Sequence, residues 1–311
     1  MSRIVECVPN FSEGNNLQVI NEITQEIEKI EGVKLLNVDP GKATNRTVVT
    51  FVGEVENVIE AAFQAIKKAS TLIDMSQHQG EHPRMGATDV CPLIPISGIT
   101  MEETAKYAQQ LAKRVGEELS IPAYLYESAQ PNKERSNLSV IRSGEYEGFF
   151  EKIKEDKWKP DFGPQEMNAQ AGATCIGARD FLIAYNVNLN TKSTRIANRV
   201  AFDVREQGRV KREGNPYVSP VVKDENGEPV RIPGKLKHVK GIGWYIEENG
   251  IAQISINLTN FRETPLHMVF EETRKSAEAR GVRVTGSELV GLVPLEPMLQ
   301  AGKYFLEQQG L

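Results

Sequence analysis

The chain has 311 residues, a formal net charge of -5, 40% hydrophobic residues and 25% charged residues, which is typical of globular proteins with room for two compact units. The acidic balance argues against a nucleic-acid partner, and no run approaches the roughly 18 apolar residues of a membrane helix. The first residues contain no apolar core of signal-peptide length. The three cysteines, an odd number in apolar surroundings, indicate reduced thiols. We therefore expect a cytoplasmic enzyme without a membrane or nucleic-acid partner.

Helical and strand-like segments alternate along the chain. The apolar spacing of amphipathic helices recurs six times, over about 17–30, 55–66, 100–119, 193–206, 265–280 and 295–308. Thr100 and Glu103 have the spacing of a capping box at the start of the third. The β-rich runs are 3–8, 33–38, 46–53, 88–96, 122–126, 136–142, 173–188, 241–247 and 251–258. Asn249-Gly250 predicts a hairpin between the last two. Many neighbouring strands are too close for a helical crossover, so we expect an α+β fold with mixed or antiparallel sheets.

One irregular segment allows two interpretations. Residues 157–172 are rich in proline and glycine and have no periodicity. Because the segment lies near the middle of the chain, it fits an interdomain linker. A long irregular segment in a compact protein also commonly lines a ligand site. The composition favours neither interpretation.

Two of the four histidines lie close together and are candidates for chemistry. The run His78-x-x-Glu81-His82 matches an inverted zinc-protease motif, which requires a continuous helix. Gly80 and Pro83 interrupt that helix, so we expect no metal. A histidine in such a loop is either a surface residue or a general acid and base, because its pKa lies near neutrality. His82 is therefore the candidate proton carrier.

Other polar residues could complete the site around His82. Asp39 stands at the end of a predicted strand, where it is either a turn residue or a carboxylate that orients His82. Arg84 has the forked geometry that binds carboxylates and phosphates. His238 and His267 fit structural or solvated positions better.

Nine segments in order along nearly the whole chain form a recognisable set: 5–14, 45–53, 80–92, 160–163, 172–173, 181–184, 205–209, 241–245 and 289–294. The third contains the motif Gly80-Glu-His-Pro-Arg-Met-Gly86. Together they resemble the formiminotransferase domain, which occurs alone in bacteria and fused to a cyclodeaminase in animals.

The resemblance implies a fold and a site. It implies two α/β-sandwich subdomains, here 1–178 and 179–311, with a substrate tunnel between them, and a homodimer. It places the catalytic histidine at His82. It also implies a folate-binding loop from Gly163 to Gly172, which favours the ligand interpretation of the irregular segment. The loop comprises Gly163, Pro164, Gln165, Glu166, Met167, Asn168, Ala169, Gln170, Ala171 and Gly172. Residues 165–170 differ from the animal form, so its two end glycines are the firmer assignments.

The implied reaction transfers a formimidoyl group between N-formimidoyl-L-glutamate and N5 of tetrahydrofolate, the co-substrate, without a metal. His82 would move the proton with Asp39 orienting it, and Arg46 and Arg84 would bind the anionic substrates. Two alternatives remain open: formyl transfer from 5-formyltetrahydrofolate to glutamate, and a folate-binding protein without turnover. The sequence ends at Leu311 without a cyclodeaminase half, so we expect that step to need a separate protein.

Overall fold

Two separate apolar cores organise the chain in the computed structural model, which describes residues 2–216 and 218–310. The first core belongs to the unit Met1–Asp180 and the second to the unit Phe181–Leu311. Each core forms where the apolar faces of amphipathic helices meet the inward face of a sheet. No helix among the described residues is both long enough and apolar enough to cross a membrane.

The first unit contains a mixed sheet of seven strands. These are β1 (Ile4–Cys7), β2 (Asn10–Phe11), β3 (Val33–Gly41), β4 (Arg46–Glu54), β5 (Thr88–Ser97), β6 (Ala123–Glu127) and β7 (Thr174–Ala178). Their order is β1-β4-β2-β5-β7-β6, with β3 paired to β4. The strands β5 and β6 run parallel to β7, and the other pairs are antiparallel.

Helices of the first unit cover this sheet and carry part of the site. The helices α1 (Leu17–Glu28), α2 (Val55–Leu72) and α3 (Met101–Leu119) follow the predicted apolar periodicity. Thr100 and Glu103 form the predicted capping box. Two short helices, α4 (Leu138–Ile141) and α5 (Glu145–Lys152), follow β6.

The second unit has a smaller antiparallel sheet. Its helices are α6 (Thr194–Val204), α7 (Leu266–Glu278) and α8 (Leu295–Gln308), and its strands are β8 (Ile183–Leu189), β9 (Arg209–Val210), β10 (Arg231–Ile232), β11 (Val239–Ile246), β12 (Ile251–Leu258) and β13 (Val284–Val290). The main sheet has the order β11-β12-β8-β13, and β9 pairs with β10. The predicted β11–β12 hairpin is confirmed, with Gly250 at a φ of 62° in its loop.

The expected α+β class is confirmed, one predicted strand is wrong, one β-rich run divides into two strands, and one of two open interpretations is excluded. The run 136–142 is not a strand, because the side chain of Asn137 caps α4 by accepting the backbone N–H of Ser139. The run 173–188 is two strands in different units, β7 and β8. Residues 157–172 do not link the units, because they lie within the first one and precede a central strand of its sheet.

Candidate active site

His82 lies in the coil 73–87 that joins α2 to β5, and hydrogen bonds fasten this coil to the sheet. The Asn45 side chain donates to the carbonyl of Gln79 at 2.8 Å, and the Ser12 hydroxyl donates to the carbonyl of Gly86 at 2.8 Å. The coil is not helical, so the inverted zinc-protease spacing does not place two imidazoles on one helix face. Among the described residues, no group of three or more His, Cys, Asp and Glu side chains could hold a metal ion.

The half-buried His82 imidazole is held in one tautomer. Its Nδ1 lies 2.7 Å from the carbonyl oxygen of Pro83, which can only accept, so Nδ1 carries the proton and Nε2 the lone pair. Burial lowers the pKa of His82 to about 3, helped by the positive charges of Arg46 and Arg142 and opposed by Asp89. The imidazole is therefore neutral at pH 7, as a general base must be.

A buried carboxylate shared by two arginines lies beside His82. Asp89, on β5, accepts hydrogen bonds at Oδ2 from the Nη1 atoms of Arg46 and Arg142, the latter at 2.5 Å. Its Oδ1 accepts the backbone N–H of Met85 at 3.0 Å. The Nε of Arg46 also donates to the side chain of Asn10 at 3.0 Å. Two guanidinium groups and one carboxylate leave the cluster with one excess positive charge, which suits an anionic ligand.

The guanidinium of Arg84 forms hydrogen bonds that hold the coil in place, and it does not face a ligand. Its Nε donates to Nδ1 of His78 at 3.1 Å and its Nη2 to the carbonyl of His78 at 3.1 Å. Two further bonds, of 2.8 and 2.7 Å, reach the Glu147 carboxylate, and one of 3.2 Å reaches Glu145. All five N–H donors of the guanidinium thus have protein acceptors. This arrangement disfavours the predicted role of Arg84 in binding a substrate carboxylate.

Asp39 lies on the face of the sheet that carries part of the arginine cluster. It is paired with Val48 of β4, which is two residues along the strand from Arg46. Because paired residues share a face and side chains alternate, Asp39 and Arg46 project to the same side. Its orienting contact with His82 stays a prediction. Asp89 is the carboxylate whose charge raises the pKa of His82.

The predicted folate loop, residues 163–172, ends against the coil that carries His82. Gly172 has a φ of 70°, and its N–H donates to the carbonyl of Asn168 at 2.7 Å. The N–H of Ala87 donates to the carbonyl of Ala171 at 2.8 Å. The loop and the coil are therefore joined by backbone pairing within a single unit.

Two residues of this cluster, Asp89 and Arg142, are not among the site residues predicted from the sequence. Asp89 carries a usable signal, because it is a charged residue inside the apolar run 88–96, where burial requires a partner. Arg142 carries none, because it is the last residue of a run, 136–142, that has the composition of a strand, and it lies 53 residues from Asp89.

Two family models match the chain, and the boundary between them lies close to the boundary between its two compact units. The model of the formiminotransferase domain, N-terminal subdomain, matches residues 4–179, and that of the formiminotransferase domain matches 184–311. A protein of Dictyostelium discoideum called formimidoyltransferase-cyclodeaminase is 49% identical to this chain over 312 residues, which are 100% of the chain and 54% of that protein. The chain thus spans about half the length of that relative.

Shorter relatives match along nearly their whole length. Proteins called glutamate formimidoyltransferase are 41% identical in Streptococcus pyogenes and 43% identical in Thermoplasma acidophilum. Each match covers 99% of this chain, with 94% and 93% of the respective relative.

Asp89→Asn tests the shared carboxylate. The pKa of Asp89 lies at about 2, below its ordinary value near 3.9, so its charge is complete at pH 7 and its stabilisation is lost only as pH falls toward 2. Removing the charge leaves the buried guanidinium of Arg46 and the partly buried one of Arg142 without their counter-charge, and we expect a loss of about 3 kcal/mol in the free energy of unfolding. Urea unfolding at pH 7 measures this loss. Glu118→Gln, which breaks an exposed pair with Arg114, is the control and costs below about 0.5 kcal/mol. Equal effects of the two variants would contradict the assignment.

Gly172→Ala tests the junction between loop and coil. A Cβ on Gly172 would lie 2.3 Å from the carbonyl oxygen of Met85 and 2.5 Å from Cα of Gly86, so the junction must open. Gly144→Ala is matched to it, because Gly144 has a φ of 92° but its Cβ would meet nothing closer than 3.5 Å. We expect Gly144→Ala to cost about 1–2 kcal/mol for its φ alone and Gly172→Ala to cost clearly more in urea unfolding. A smaller loss at Gly172 would show that the junction is not tightly joined.

Proposed function

The chain belongs to the formiminotransferase domain family, and on that premise we propose that it is a glutamate formimidoyltransferase. In this proposal it transfers the formimidoyl group between N-formimidoyl-L-glutamate and N5 of tetrahydrofolate. The observation that carries the proposal is the neutral imidazole of His82 beside a buried cluster with one excess positive charge. A base and an anion site next to each other are what this reaction requires.

His82 supplies both proton transfers. When N5 of tetrahydrofolate attacks the amidinium carbon, a tetrahedral intermediate forms and N5 becomes cationic. The lone pair on Nε2 of His82 takes the proton from N5, and the resulting imidazolium gives it to the glutamate nitrogen. The bond from that nitrogen to carbon then breaks, glutamate leaves as an amine, and His82 returns to its neutral form. Such acid–base assistance typically contributes about 10²- to 10⁴-fold.

Arg46 and Arg142 bind a carboxylate of the substrate. Each donates one Nη1 hydrogen bond to Asp89, and the described residues provide no hydrogen-bond partner for Nη2 of either arginine. An anion bound at these donors offsets the positive charge that lowers the pKa of His82. The base therefore becomes stronger when the substrate is present and stays neutral when it is absent.

Tetrahydrofolate is assigned to the loop 163–172. Support comes from the backbone pairing of Ala171 with Ala87, which lies five residues after His82 in the same coil. Four further parts of the account stay predictions of the family resemblance: the subdomain boundary at 178/179 with its tunnel, the homodimer, the cytoplasmic location and the separate cyclodeaminase. The fused relative carries both activities in its name.

His82→Ala tests the assignment of the base. We expect kcat for formimidoyl transfer to fall by about 10²- to 10⁴-fold, because the proposed mechanism passes both proton transfers through Nε2 of His82. Tetrahydrofolate binding, measured by calorimetry, should persist because the loop 163–172 is unchanged. His238→Ala in the second unit is the control and should keep wild-type turnover. Turnover near the wild-type level in His82→Ala would exclude His82 as the proton carrier.

The variant Asp39→Asn, measured in the same kcat assay, tests whether Asp39 orients His82. A loss of kcat in Asp39→Asn would support its orienting role, whereas wild-type kcat would leave Asp89 as the carboxylate that acts on His82.

A competition assay tests which donor the protein uses. Formimidoylglutamate and 5-formyltetrahydrofolate are offered together to the wild-type protein. Faster consumption of the formyl donor would contradict the proposal, and binding without turnover of either would indicate a folate-binding protein.

A further inference from the structure

Lys152, the last residue of α5, is a buried cation that the proposed reaction does not use. Its side chain is buried, yet the described residues provide no ion pair between Lys152 and a carboxylate. Burial lowers the pKa of Lys152 to about 8, so the ammonium form still predominates at pH 7. Keeping a charge without a counter-ion out of water is costly, so other contacts must stabilise the ammonium group.

The ammonium group binds the carbonyl groups of one short turn. Nζ donates to the carbonyl oxygens of Ile141 at 2.5 Å, Ser143 at 2.8 Å and Val140 at 3.0 Å, and lies 2.9 Å from the Ser143 hydroxyl. The last carbonyls of a helix have no partner within the helix, and here α4 ends at Ile141. Lys152 therefore satisfies the carbonyl groups at the end of α4.

Two aromatic rings fix the position of the ammonium. Nζ lies 4.0 Å from the ring centre of Trp158 and 5.0 Å from that of Phe149. Both distances allow cation–π attraction, which is strongest where water is excluded. The ammonium is thus held on one side by rings and on the other by the turn.

The residue between the bound carbonyls is Arg142. Ile141 and Ser143 flank it directly, and Arg142 reaches Asp89 from this turn. The N–H of Glu145 also donates to the carbonyl of Arg142 at 3.0 Å. From this arrangement we propose that Lys152 is a positioning residue that holds the Arg142 guanidinium against Asp89 by binding the carbonyl groups on both sides of it. The proposal rests on the proposed function only in that Arg142 binds the substrate carboxylate.

A double-mutant cycle separates positioning from general stability. Lys152→Met keeps most of the side-chain volume but removes the donors, and we expect KM for formimidoylglutamate to rise about tenfold. In the Arg142→Ala background the same change should alter KM by less than about twofold, because the group that Lys152 positions is already absent. A residue that only stabilised the fold would weaken both backgrounds by the same factor, and that result would overturn the proposal.

Controls keep the test informative if the first variant folds poorly. Lys157→Met removes an exposed ammonium that lies 5.7 Å from the same Trp158 ring, and it should leave KM unchanged. Lys152→Gln retains two neutral donors and should raise KM in the same direction by a smaller factor. Wild-type KM in Lys152→Gln and Lys152→Met would refute positioning.

Amide hydrogen exchange gives a readout that does not need turnover. Exchange at residues 142–146 should become faster in Lys152→Met, while exchange in β12 of the second unit stays the same. If the wild-type protein transfers no formimidoyl group, the proposed function is wrong. Hydrogen exchange would still show whether Lys152 holds the turn that carries Arg142. Unchanged exchange at 142–146 would overturn the positioning role even in an active enzyme.

Discussion

The site depends on one buried carboxylate, Asp89, that two arginines share. Asp89 is fully buried on β5, Arg46 begins β4, and Arg142 comes from the turn between α4 and α5. The same carboxylate accepts the backbone N–H of Met85, three residues after His82. A single charged group thus joins two strands, a turn and the coil with the imidazole, and breaking such a buried arrangement is costly.

The charge balance of this cluster also explains the state of His82. One carboxylate does not cancel two guanidinium groups, and the excess positive charge adds to burial in lowering the pKa of His82. A neutral imidazole with its lone pair on Nε2 is ready to accept a proton, although a low pKa makes it a weak base. In the proposed mechanism, a bound carboxylate removes the excess charge and strengthens the base. The affinity for the anion and the strength of the base are then two consequences of the same arrangement.

Apolar periodicity correctly predicts the helices and the hairpin whose residues are close together in the sequence. It fails where contacts with distant residues determine the local conformation. The long helices and the β11–β12 hairpin followed their apolar spacing and turn residues. The run 136–142 has a strand-like composition, but Asn137 and the distant Lys152 hold it as a helix and a turn. For the same reason Arg142 could not be found from the sequence. The chemistry of Arg84 predicts an anion-binding residue, yet Glu147 and His78 occupy its donors.

Burial, aided by the positive charges of Arg46 and Arg142, keeps the His82 imidazole neutral, and a bound anion is proposed to strengthen it as a base. NMR titration of the His82 imidazole nitrogens, assigned by comparison with His82→Ala, tests this most directly. Without substrate, the account predicts a pKa well below the ordinary value of about 6.5, with the proton of the neutral form on Nδ1. With formimidoylglutamate bound and no tetrahydrofolate present, it predicts a higher pKa. An ordinary or raised pKa in the free protein, or one that the ligand does not change, would contradict the account.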